Sequence, residues 1–168
     1  METRPNPLPK VAFIGQAPPL KATSIPFDRT RLFQWLGKIG ISKSEAVNNF
    51  SFLALVNTFP GIGKFGHKAP SKEAIAHGRA ALVQKLEALN PHFIVPLGTL
   101  AIRECLCQPD ATLADSIGQV FAVDPFGALG RKIPVIPLPH PSGASPWIHT
   151  NNQSVKLDAA LREIERLI

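Results

Sequence analysis

The chain has 168 residues, 45% of them hydrophobic and 18% charged. This composition suits one globular domain over residues 1–168, with a core that needs no disulfide or metal to hold it. No stretch of about 18 apolar residues exists to cross a membrane, and Cys105 and Cys107 cannot alone supply the four ligands of a zinc or iron–sulfur site. Eighteen Lys and Arg against twelve Asp and Glu give a formal charge of +6 and a pI near 9.7, which favours a polyanionic partner.

The first ten residues carry prolines but no apolar stretch behind a basic residue, so no secretory signal is read there. A cytoplasmic protein with reduced thiols, no metal and no other cofactor is expected. The first strand is Val11-Ala12-Phe13-Ile14, a continuous apolar run of the kind buried on both faces of a parallel sheet. Gly15-Gln16-Ala17-Pro18-Pro19 follows as a stiff turn, which would place Gln16 in the crevice outside the strand's carboxyl end. Asp28 or Thr30 then caps a helix running to about Lys38, with Leu32, Phe33, Trp35 and Leu36 on its apolar stripe. Phe27, just before that helix, suits either a hydrophobic staple or a stacking platform.

A second strand is expected over residues 52–56, again ending in a polar group, Asn57. Between glycines further on, Lys64 and Lys68 compose a loop that either tracks phosphates or is simply solvated. A long helix capped by Ser71 covers residues 70–89, and Asn90-Pro91 stops it. Residues 93–97 form the third strand, and Gly98-Thr99 leads into a helix over 100–106. A hairpin-like excursion, residues 120–123 and 133–136, brings in the fourth main strand, and a closing amphipathic helix covers 154–168. The order β-α-β-α-β-α-β-α specifies a three-layer α/β/α fold around a mostly parallel four-stranded sheet.

After the fourth strand comes Pro137-Leu138-Pro139-His140-Pro141-Ser142. Each proline fixes its own φ and pushes its predecessor toward extended geometry, so His140 is either an aimed side chain or part of a rigid turn that merely packs. Gln16, Asn57 and His140 thus leave three strands at one sheet edge, where a site would be assembled.

These motifs, together with Pro26-Phe27 and Val95-Pro96-Leu97-Gly98-Thr99-Leu100-Ala101, resemble in order and spacing those of the uracil-DNA glycosylase superfamily over about residues 11–149. The layout is most similar to the family-4, thermophile-type branch. Two departures stand out: that branch carries four cysteines for an iron–sulfur cluster, and it has a glutamate where Gln16 stands.

The resemblance implies removal of uracil or another deaminated base from DNA by a monomer. Such a reaction needs a π-face, a base-edge reader and a donor to the anionic leaving base. Phe27 matches the stacking aromatic, Asn57 the amide that pairs with the uracil O4 and N3–H edge, and His140 the donor to O2. Gly15 and Ala17 complete the base-binding turn, and Pro19 stands where a relative has a residue that blocks the thymine methyl. Gly143, Ala144, Ser145 and Trp147, after Ser142, match the loop that enters the minor groove. Ala144 is too small to plug a base-sized gap, so Trp147 or Ile148 wedges there instead, unless Trp147 packs on the body of the protein. With Gln16 and Ala17 non-titratable, Asp28 is the nearest carboxylate able to act on water, if it does not cap the helix. Two further readings remain: a relative that binds DNA or base without efficient cleavage, and a small-molecule or nucleotide-binding module on the same fold.

Overall fold

The computed structural model describes residues 7–18, 25–28, 30–57, 60–63, 66–67, 69–142 and 153–168. In chain order the elements are β1 (Val11–Gly15), α1 (Leu32–Lys38), α2 (Lys43–Asn49), β2 (Ser51–Ala54), β3 (Ile62–Gly63), β4 (Gly66–His67), α3 (Lys72–Leu89), β5 (Phe93–Pro96), α4 (Thr99–Leu106), α5 (Leu113–Ser116), β6 (Phe121–Val123), β7 (Ile133–Val135) and α6 (Gln153–Leu167). β3 and β4 make a small separate antiparallel pair.

The main sheet has five strands in the order β2-β1-β5-β7-β6. β1 is parallel to both neighbours, with Phe13 opposite Phe52 and Val95, and β5 runs parallel to β7 through Ile94 and Val135. All five residues of β1 and all four of β5 are buried, as expected for strands covered on both faces. The chain moves from β1 one way to β2, then back past β1 to β5 and on to β7. By the right-handed rule for parallel crossovers, these opposite directions of travel assign α1 and α2 to one face and α3 and α4 to the other, which gives three layers.

The sheet has one strand more than the four expected. The excursion is a hairpin whose first arm, β6, pairs antiparallel with β7 at Phe121–Val135, Ala122–Pro134 and Val123–Ile133, and so becomes the edge strand of the main sheet. The carboxylate of Asp124 accepts from the N–H groups of Leu129 and Gly130 and orders the connection. The second strand also stops earlier than expected, at Ala54, although the Leu55 N–H still donates to the Gly15 carbonyl at 3.0 Å. Helix α2 was not anticipated; Ser42 and Glu45 form a capping box at its start.

The capping expectation for α1 is corrected. Its N-cap is Arg31, whose side chain makes no capping bond. Thr30 contributes only an acceptor for the Leu32 N–H at 3.3 Å, and Asp28 lies three residues too early and pairs with Lys43 of α2 instead. By contrast Ser71 caps α3 as expected, accepting from the Ala74 N–H, and Asn90 ends it in the left-handed conformation. The buried side chains form one cluster that runs from Leu32, Trp35 and Leu36 through β1 and β5 to Leu157, Leu161 and Ile164 of α6.

Candidate active site

In an open parallel sheet ligands bind outside the carboxyl ends of the strands, where neighbouring crossovers diverge. Here that place lies between β1 and β5, because the chain leaves β1 in one direction and β5 in the other. Gln16 follows β1, Asn57 follows β2 by three residues, Gly98 follows β5, and His140 follows β7 by five. The sequence-predicted trio is therefore brought to one edge. Gln16 is half-buried and Asn57 exposed.

His140 is held by continuation of the sheet beyond its named strands. The Ile136 N–H donates to the Ile94 carbonyl at 2.9 Å, Leu138 to Pro96 at 3.0 Å, and Gly98 to Leu138 at 2.9 Å. Leu97 and Leu138 form a further parallel bridge, and both are completely buried. The histidine ring then lies against Gly98, where an added methyl group would stand 3.2 Å from the His140 Cβ. Gly98 also has φ +89°, a conformation costly for any residue with a side chain. Its two requirements coincide: a sharp exit from β5 and an open surface for His140.

The Ser142 N–H donates to His140 Nδ1 at 3.2 Å. A backbone amide can donate only to an unprotonated ring nitrogen, so in the neutral imidazole the hydrogen resides on Nε2. Ser142, expected among the DNA contacts, has this structural part in orienting the ring.

Phe27 is held differently. It has φ +60°, a left-handed backbone that is rare for an aromatic residue. Its carbonyl accepts two hydrogen bonds from Thr30, from the N–H at 3.0 Å and the hydroxyl at 2.7 Å. The ring presses on Gly15, where an added methyl would meet its Cζ at 2.7 Å. Behind it lies Phe52 at 6.1 Å between centroids, which in turn stacks on buried Phe13 at 5.5 Å and 19°. The Lys43 ammonium pairs with Asp28 next to it and stands over the Phe33 ring. With side-chain exposures of 47% and 35%, that ion pair is a surface contact worth at most about 1 kcal/mol.

The Arg31 N–H donates to the Pro141 carbonyl at 2.9 Å, which ties the Phe27 segment to the His140 segment. Thr30, Gly98 and this link were not read from the sequence as parts of the site, although Gly98 stood within a quoted motif. Ala17 is half-buried beside Gln16, and the Gly15 carbonyl is taken by Leu55. Pro19, Lys64, Lys68, Gly143, Ala144, Ser145 and Trp147 lie outside the described residues. No helix among the described residues is long and apolar enough to cross a membrane. The two cysteines, one buried and one exposed, do not fit an iron–sulfur cluster, which needs four thiolates or equivalent ligands.

No curated protein matches the chain. A family model described as the uracil DNA glycosylase superfamily matches residues 3–164, nearly the whole length. With that match and this sheet, the chain belongs to the uracil DNA glycosylase superfamily.

Proposed function

We propose that the protein is a monofunctional DNA glycosylase that hydrolyses the N-glycosidic bond of uracil, or of another deaminated base, as a cytoplasmic monomer. The observation that supports this reading is the Ser142 N–H bond to His140 Nδ1, which puts the hydrogen of the neutral ring on Nε2, on a loop leaving the same sheet edge as those of Gln16 and Asn57. The target base, flipped from the stack, lies on Phe27. The Asn57 amide offers both a donor and an acceptor to the O4 and N3–H edge, a pairing that cytosine does not satisfy. As the C1′–N1 bond breaks, negative charge gathers on the base and His140 Nε2–H donates to O2, an interaction worth about 3 kcal/mol in the transition state.

Water adds to C1′ of the oxocarbenium-like sugar and releases a proton to solvent, while the base departs with the bonding electron pair as the anion and takes up a proton from solvent. Gln16 holds that water through a neutral hydrogen bond. No lysine stands in a matched catalytic position, so no covalent intermediate forms. The excess of basic over acidic side chains in the chain favours binding to the phosphates.

Single-turnover assays on oligonucleotides containing uracil, hypoxanthine or xanthine test the reading, with release of at least one base expected. Tight binding of the damaged strand without release of any base would favour the second reading, a relative that keeps the pocket but not the chemistry. That second reading is favoured by one observation, the lack of a titratable side chain at Gln16 and Ala17.

A further inference from the structure

Six arginines fall among the described residues. Arg79 donates to the Phe126 carbonyl, Arg103 to Ala111, Arg131 to Asn90 and Pro91, and Arg166 to the Glu163 carboxylate. The guanidinium groups of Arg31 and Arg162 find no hydrogen bond or ion pair among the described residues, and the two differ in setting. Arg162 is exposed on α6, whereas Arg31 is half-buried. A guanidinium presents five donors and stays charged at any working pH, so that of Arg31, with no protein acceptor among the described residues and its nitrogens still reached by solvent, is open to an anionic ligand.

The place of Arg31 indicates which ligand. Its N–H is bonded to the Pro141 carbonyl, one residue beyond His140. It is four residues from Phe27 and adjacent to Thr30, whose hydroxyl holds the Phe27 carbonyl. Arg31 therefore stands where the stacking wall and the donor wall of the site are joined. A base enclosed between those walls leaves its sugar–phosphate at the rim, and a planar guanidinium matches two phosphate oxygens at once.

We propose that Arg31 binds a phosphodiester flanking the flipped nucleotide and so sets the position of the sugar relative to His140. The proposal rests on the glycosylase reading above. Arg31 acts on the strand and His140 on the base, and the Pro141 bond couples their positions.

The test is a cycle between Arg31→Ala and a uracil oligonucleotide whose 5′ or 3′ linkage at the uridine is a neutral methylphosphonate. Removing a charge-assisted pair should lower kcat/KM about 10- to 100-fold on the natural strand. The slope of log affinity against log salt should fall by about one contact. Arg31→Lys should restore the salt slope but only part of the rate. At one of the two linkages the methylphosphonate should slow the wild type to the level of Arg31→Ala while slowing the variant no further. A merely structural residue would not show that loss of additivity. Multiplicative losses at both linkages, or an Arg31→Ala variant equal to wild type, would overturn the proposal while leaving the glycosylase reading intact. If the wild type binds the strand without excising, the same cycle read on dissociation constants decides the matter. If it neither binds nor excises, the glycosylase reading and the Arg31 proposal fall together.

Discussion

The two walls of the site rest on the same device and are held by opposite means. Phe27 lies on Gly15 at the end of β1, and His140 lies on Gly98 near the end of β5, where an added methyl group would stand 2.7 Å from the Phe27 Cζ and 3.2 Å from the His140 Cβ. The His140 segment is an extension of the sheet, bonded through Ile136 and Leu138 to Ile94, Pro96 and Gly98. Among the described residues the Phe27 segment makes no such ladder. It keeps a left-handed backbone through the two Thr30 bonds, the Asp28–Lys43 pair and the Arg31 bond to Pro141. On the proposed reading, the donor that meets developing charge is mounted on the rigid element, and the stacking surface on a locally clamped turn. A charge-stabilising group loses its effect with small errors of position, whereas stacking on a π-face tolerates them.

The largest effect should come from the residue between the walls. On the proposed reading, Gln16→Glu places an ionisable acceptor where the attacking water binds and should raise uracil excision at neutral pH by up to the ~10²–10⁴-fold of a general base. Single-turnover rates check this. Asp28→Asn should leave the rate within about twofold, because its carboxylate partner is Lys43 and a surface pair of this kind contributes little. A collapse of activity in Asp28→Asn would instead make Asp28 the base.

On the rigid wall, His140→Ala should cut base release about a hundredfold, with thermal unfolding nearly unchanged. Activity equal to wild type would remove His140 from its role as donor.

The two glycines separate the walls directly. Gly98→Ala meets the His140 Cβ and requires a side chain at φ +89°, so it should lower kcat about tenfold or more and cost on the order of 1–2 kcal/mol of stability. Gly15→Ala meets only the far end of the Phe27 ring, which can swing away. Its main effect should be on KM, about tenfold for a weakened stacking contact. Equal effects of both substitutions on kcat would erase the distinction between the walls.

The smallest effect probes the clamp. Thr30→Val loses the hydroxyl bonds to the Phe27 carbonyl and from the Leu32 N–H, and should cost about 1 kcal/mol in chemical denaturation. Thr30→Ser should recover that stability, and a Thr30→Val variant as stable as wild type would show that the turn is held without Thr30.

Local chemistry made several parts of this molecule legible in the sequence. Four successive apolar residues at 11–14 can be satisfied only by burial on both faces, so β1 was readable. Ser71 and Asn90 bound α3 because a cap satisfies backbone groups within three residues of itself. His140 stood out because flanking prolines restrict the backbone before any tertiary contact forms. Where two local solutions competed, the sequence did not decide between them: Asp28 and Thr30 were both acceptable caps for α1, and neither is its N-cap residue.

Tertiary structure alone decided what joins distant positions. It placed β6 as an antiparallel edge beside β7, since a short arm can either pair with the sheet or stay apart, and strand length alone does not choose. It set Phe27 on Gly15, His140 on Gly98, Asp28 on Lys43 and Arg31 on Pro141. None of these pairs follows from residue type, because each depends on where the crossovers carry the chain after it leaves a strand. The residues fit for the site's chemistry are written in the sequence; the distances and orientations between its walls come from the parallel sheet, which brings four separate loops to one edge.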